Sequence, residues 1–212
     1  MKIEVWSDYV CPFCYIGKRK LEQALEKTGL GTGAEVIFKS YELDPNSPET
    51  SDQSMVSVLA GKYGTTEAQA EDMTANVTAA AKEVGLEYNF SKMRPANTFS
   101  AHRLAKWAEE QGKADEISEN LLRAYFIENR EIGLKEVLAD IAEETGLGRA
   151  EAEAVLKSER YEKDVRADIE EARQLGVQGV PFFVINRKYA ISGAQPDEVF
   201  EQALRQVAEE ES

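Results

Sequence analysis

The sequence predicts an α/β protein in which a mixed central sheet is interrupted by a large all-helical insertion. Three observations lead there. A short alternating strand pattern at 3–7, a helical pattern at 12–28 and a second strand pattern from Glu35 to Tyr41 make a β-α-β opening. The apolar run Phe182-Phe183-Val184-Ile185-Asn186 and the segment Tyr189-Ala190-Ile191-Ser192 make an antiparallel pair with helical patterns on either side. Between them, from about Asp52 to Arg160, the chain is almost wholly helical in character.

In the first helix, closed by Gly29, the residues Cys14, Leu21 and Leu25 share one face, with Gly17 between the first two. That face turns Cys14 inward and leaves Cys11 at the tip, toward solvent. Val36, Ile37, Phe38 and Tyr41 are β-formers, and Asp44-Pro45-Asn46-Ser47-Pro48 ends the pattern. Thr66 with Gln69 reads as a capping box opening a helix to about Val84. Further helices follow over Asn97 to Gln111, across Ile117, Leu121 and Tyr125, from Leu134 to Gly146, and over Glu151 to Leu156. Another, through Tyr161, Val165, Ile169 and Ala172, ends at Gly176. The last starts at Pro196 or Asp197 and turns Phe200, Leu204 and Val207 inward. This order assigns 1–44 and 160–212 to one discontinuous domain and 45–159 to a helical insertion domain.

Composition narrows the function. With 212 residues and 42% hydrophobic content the chain has enough material for a real core. A formal net charge of −14 argues against nucleic-acid and anionic-membrane partners, because a phosphate surface would repel it. Met1-Lys2 leads straight into the first strand, without a basic segment followed by an apolar one, so the expected location is cytoplasmic. There, a lone Cys-X-X-Cys is more often catalytic or metal-binding than structural.

The two cysteines of the chain, Cys11 and Cys14, form Cys-Pro-Phe-Cys directly after the first strand. The pair sits at a helix N-terminus, where backbone N–H groups and the helix dipole favour thiolate over thiol. Redox chemistry is the simplest reading. Zinc would need four ligands, and the chain offers two cysteines, His102 and carboxylates.

The segments Ser7-Asp8-Tyr9-Val10-Cys11-Pro12-Phe13-Cys14-Tyr15-Ile16-Gly17 and Gly176-Val177-Gln178-Gly179-Val180-Pro181-Phe182-Phe183-Val184-Ile185 carry a resemblance. So does Pro95-Ala96-Asn97-Thr98-Phe99-Ser100-Ala101-His102-Arg103-Leu104. Nearly end to end, the chain resembles the DsbA branch of the thioredoxin superfamily, most closely its cytoplasmic FrnE-like group. The resemblance implies a thioredoxin-like fold and a dithiol–disulfide oxidoreductase or disulfide isomerase. It implies Cys11 as nucleophile, Cys14 as resolving thiol, and a cis bond at Val180-Pro181 whose Val180 backbone pairs with substrate. Pro12 and Phe13 would border that substrate, and Asn97, Thr98 and His102 would shape its groove. On pattern alone His102 reads as a helix-boundary residue beside the apolar line of Ala101, Leu104 and Ala108.

No cofactor or metal is implied beyond the dithiol. A small thiol such as glutathione or bacillithiol would serve as co-substrate, and the partner is a thiol- or disulfide-containing protein or small molecule. Phe13 stands where the most oxidising DsbA proteins carry histidine and supplies no charge, so a milder oxidant is expected. Val5 and Trp6 fill the stretch where thioredoxin buries an acid, and Asp8 lies closer to the dithiol as either a proton shuttle or a turn residue. Phe13, Tyr15 and Phe182 are candidates for an apolar rim, with Phe13 the one expected to be exposed. Two other readings stay open: a glutathione-dependent isomerase or transferase of the hydroxychromene-carboxylate isomerase or kappa type, and a peptide-holding chaperone module. Monomer and homodimer are equally compatible with the pattern.

Overall fold

The computed structural model describes residues 1–211. Among them are four strands and nine helices, and the chain divides into two compact units. The first comprises Met1–Leu43 and the chain from Arg166 on, the second Asp44–Val165.

The first unit is built on strands β1 (Lys2–Ser7), β2 (Glu35–Ser40), β3 (Phe182–Ile185) and β4 (Tyr189–Ser192), in the order β2-β1-β3-β4. β2 runs parallel to β1, while the β1–β3 and β3–β4 pairs are antiparallel. This is the expected mixed sheet. Helix α1 (Pro12–Thr28) makes the crossover from β1 to β2. It ends at Gly29, whose φ of 71° lets its N–H turn back to the carbonyls of Leu25 and Glu26.

Strand alternation decides what each face of the sheet buries. Ile3 and Val5 of β1, with Phe183 and Ile185 of β3, pack on Leu21, Ala24 and Leu25 of α1. Phe200, Leu204 and Val207 of α9 (Asp197–Glu210) complete that layer. Each of the Val, Leu, Ile and Phe side chains in that layer stabilises the fold by about 1.5–3 kcal/mol. On the opposite face Trp6 and Val184 meet Ala172 of α8 (Glu162–Gln174), together with Val177. The indole N–H of Trp6 donates to the Asp168 carbonyl at 2.9 Å, satisfying a fully buried donor.

That second face also holds charge. Glu4 is buried and ion-paired with Arg187, whose guanidinium reaches Glu171 at 2.7 Å and lies over the Trp6 ring at 5.9 Å. Asn186 and Arg187 form the β3–β4 turn, both with positive φ, as a tight hairpin requires. Buried Asp168 accepts from Lys39 Nζ and from the Ser40 N–H, both at 3.0 Å. Burial acts to lower the Lys39 pKa, but the hydrogen bond and charge of Asp168, helped by Glu171, outweigh it and hold the ammonium above its ordinary value. The sequence reading missed this acid because it sits on α8 rather than on the strand. Its signal was there, since Asp168 lies three residues after Val165 and four before Ala172, on the apolar face.

The second unit contains α2 (Met55–Tyr63), α3 (Glu67–Glu83), α4 (Phe99–Glu110), α5 (Ala114–Phe126), α6 (Lys135–Glu144) and α7 (Arg149–Lys157). The Thr66–Gln69 capping box is formed at the start of α3. Leu104, Ile117, Leu121, Phe126, Leu138 and Ile141 are completely buried in its core. Arg103 is also buried and donates to the carbonyls of Val155, Ser158 and Arg160, closing the C-terminal end of α7. No helix among the described residues is long and apolar enough to cross a membrane.

Candidate active site

The site lies where β1 hands the chain to α1. Asp8 begins a tight turn, its carbonyl accepting the Cys11 N–H at 3.0 Å. Cys11 is then the N-cap of α1 in extended backbone, and Pro12 occupies the first helical turn, where a missing N–H costs nothing. The Cys11 carbonyl accepts the Cys14 N–H at 3.0 Å, so both sulfurs belong to one turn of chain. Both thiols are free.

Cys14 is buried on the inward face, as its spacing to Leu21 and Leu25 requires. Its sulfur receives the Asp8 N–H at 3.5 Å. Burial pushes the Cys14 thiol well above its ordinary pKa, reinforced by the hydrogen bond and charge of Cys11; the Ser7 hydroxyl and Asp8 N–H act against this. Cys11 departs from the expectation of an exposed tip, for it is only 4% exposed. Its thiol turns onto the Val180 carbonyl at 3.4 Å instead of projecting into solvent. The two cysteines therefore differ in their partners rather than in exposure.

The Val180-Pro181 peptide bond is cis, as the resemblance implies. The loop is brought against α1 by Gly17. A Cβ there would stand 2.9 Å from Pro181 Cγ and 3.1 Å from Phe183 Cζ, so the missing side chain permits the approach of helix and loop. Gly17→Val should therefore cost about 1–3 kcal/mol by overpacking. It should also change the alkylation rate of Cys11, since α1 and the Val180 carbonyl are pushed apart. Denaturant unfolding and timed alkylation check both effects.

Of the other expected site residues, Phe13 is exposed at 45%, Pro12 and Val180 are half-buried, and Pro181 is buried. Tyr15 is buried, its ring stacked under Arg19 at 5.0 Å, while Phe182 is half-buried. Asp8 is completely buried, and its carboxylate accepts the Leu43 N–H at 2.8 Å, which ties the end of the β2 segment to the dithiol turn. Asn97, Thr98 and His102 belong to the second unit. Asn97 is taken up locally: its N–H donates to Pro48 O, its amide to Pro45 O, and its side-chain oxygen caps the Phe99 N–H. Thr98 is the buried N-cap of α4. His102 is buried too, 3% exposed, which corrects its reading as a helix-boundary residue. Lying next to Ala101 on a helix with a wide buried face, it falls inside that face rather than at its edge. Among the described residues no group of three or more His, Cys, Asp or Glu side chains is arranged to hold a metal ion.

The first unit thus joins a mixed four-stranded sheet, Cys-Pro-Phe-Cys at a helix start and a cis-proline loop. The family model described as DSBA-like thioredoxin domain matches residues 2–205. The chain belongs to this DsbA-like family. A probable DsbA oxidoreductase from Streptomyces coelicolor is 41% identical and superposes with a TM-score of 0.93, over 97% of this chain and 89% of that one. The uncharacterized protein YwbO of Bacillus subtilis is 31% identical over 204 residues, 95% of this chain and 94% of that protein. A 2-hydroxychromene-2-carboxylate isomerase shares the DsbA-like fold with a TM-score of 0.74 at 16% identity, over 100% of this chain and 98% of that one. At that identity the likeness concerns the fold alone. The DsbA-like family is one of thiol oxidoreductases.

Proposed function

We propose that this DsbA-like protein is a dithiol–disulfide oxidoreductase of the oxidase or isomerase type, working in the cytoplasm through a Cys11–Cys14 redox centre. One observation supports the reading above all: the Cys11 sulfur rests against the Val180 carbonyl beside the cis bond, while the equally buried Cys14 sulfur receives the Asp8 N–H. Cys11 thus meets the edge on which an extended substrate would dock, and Cys14 meets Cys11 and the end of β1.

In oxidation, a substrate thiolate attacks Cys11 of the disulfide, the Cys11–Cys14 bond breaks, and Cys14 leaves as thiolate. A second substrate thiolate then attacks the substrate sulfur of the mixed disulfide, closing the substrate disulfide and releasing Cys11 reduced. Isomerisation begins from the reduced dithiol, with Cys11 attacking a substrate disulfide. The Val180 carbonyl, with two lone pairs, is shared by the reduced Cys11 thiol and a docking substrate N–H. Substrates are thiol- or disulfide-bearing protein segments or small thiols, and Phe13 offers them an apolar border. The reading assigns no step to Asn97, Thr98 or His102.

Mixing the oxidised protein with a reduced dithiol peptide tests the proposal. One peptide disulfide should form for each Cys11–Cys14 pair reduced. Failure to transfer the disulfide, with glutathione-dependent turnover of a small electrophile surviving Cys14→Ser, would favour an isomerase or transferase of the hydroxychromene-carboxylate type instead.

A further inference from the structure

We propose that the Ser7 hydroxyl, with the Asp8 N–H beside it, is a catalytic hydrogen-bond donor to the Cys14 sulfur, holding the thiolate that forms there whenever the dithiol opens. The inference rests on the dithiol exchange proposed above. Its basis is strand geometry. Ser7 ends β1 on the same alternating face as Ile3 and Val5, the face that α1 covers, and so points toward the first turn of α1, where Cys14 sits. Its backbone has little room to drift: Ser7 is in register with Ser40 of β2, and its carbonyl accepts the Tyr41 N–H at 3.1 Å. Ser7 itself is buried on that face, beside the Asp8 N–H that reaches the Cys14 sulfur at 3.5 Å.

The chemistry needs such donors. When a substrate thiolate bonds to the Cys11 sulfur, the Cys11–Cys14 bond breaks and its electron pair leaves on Cys14. That negative charge appears on a sulfur shut off from water, where an unsolvated anion is strongly disfavoured. Cys11 is by then bonded to the substrate and carries no S–H to donate. The Asp8 N–H, already at 3.5 Å, and the Ser7 O–H on the same face remain to meet it. In the reverse direction the same two donors favour ionisation of Cys14, which must be a thiolate to attack the mixed disulfide at Cys11. Burial and Cys11 raise the Cys14 pKa, while these two contacts oppose the rise.

The test compares Ser7→Ala, Ser7→Thr and Ser7→Val, each first in a Cys11→Ser background in which Cys14 is titrated by the ultraviolet absorbance of its thiolate. Thr and Val fill nearly the same volume, so a difference between them reports the hydroxyl and not the packing. Ser7→Ala and Ser7→Val should move the Cys14 titration to higher pH, and Ser7→Thr should leave it near the Ser7 position. With both cysteines present, loss of the hydroxyl should slow Cys14-dependent release of a pre-formed Cys11 mixed disulfide by about tenfold or more, the size expected for a hydrogen bond to a charged group. Coincident titrations for Ser7→Thr and Ser7→Val, with release rates within about twofold of one another, would overturn the proposal. The titration requires no exchange activity, so an inert dithiol in the unmodified protein would count against the proposed function while the Ser7 assignment stood or fell on the Cys14 midpoint.

Discussion

Cys11→Ser is expected to lower disulfide exchange by at least about a thousandfold, while Cys14→Ser is expected to stop the cycle after its first step. The difference follows from what each sulfur faces. Cys11 lies against the Val180 carbonyl, and in the proposed mechanism replacing its sulfur removes the atom that bonds to substrate. Cys14 lies on the inward face of α1 and its sulfur receives the Asp8 N–H, away from the Val180 carbonyl contact that Cys11 makes. A reduced Cys14→Ser protein should attack a substrate disulfide through Cys11 and then accumulate as a mixed disulfide, since a hydroxyl does not displace a thiolate from sulfur. Mass spectrometry of the trapped species should place the substrate on Cys11. Equal trapping by the Cys11→Ser protein through Cys14 would reverse the assignment.

Arg187→Gln should destabilise the protein by about 3 kcal/mol, near the lower end for breaking a buried ion pair. Glu4 is 2% exposed, and Arg187 is the cation paired with it across the β3–β4 turn. Its Glu4 and Glu171 contacts also hold the Arg187 guanidinium above its ordinary pKa. The Arg187 side chain is itself 46% exposed, so water softens the loss, and the upper end of the range is not expected. For a chain of this size the corresponding fall in melting temperature is roughly 6–12 °C. Adding Glu4→Gln should recover part of the loss, because an amide is cheaper to leave buried than a carboxylate. Chemical unfolding of the two single variants and the double variant measures the coupling. A loss under about 0.5 kcal/mol for Arg187→Gln would mean that Glu4 finds compensation elsewhere.

Much of the fold was legible because its elements follow simple periods. Ile3 and Val5 alternate with Glu4 and Trp6, and the structure sends the two pairs to opposite faces of the sheet. The spacing of Cys14, Leu21 and Leu25 placed Cys14 inward, and the Thr66–Gln69 box marked the start of α3. Helix α2 was not singled out: its Ser54 cap lacks a Glu or Gln three residues on, and Ala60 is its one buried residue. The burial of Cys11 was not legible either. Periodicity tells which face of a helix points inward, but Cys11 precedes the helix and is covered through its contact with Val180, 169 positions away. The same limit explains Asp8, whose carboxylate partner, the Leu43 N–H, lies beyond α1 and β2. Local spacing predicts faces, and contacts distant in sequence decide exposure.

The reduction potential of the Cys11–Cys14 pair, measured against a glutathione buffer with the oxidised and reduced forms separated by alkylation, is the most direct test of the redox centre. Phe13 supplies neither charge nor donor between the cysteines, so the pair should undergo one two-electron transition between about −270 mV and about −120 mV, the thioredoxin and DsbA extremes. A potential at or above the DsbA extreme would contradict the role given to Phe13. A pair that forms no disulfide at any poise would contradict the redox centre itself.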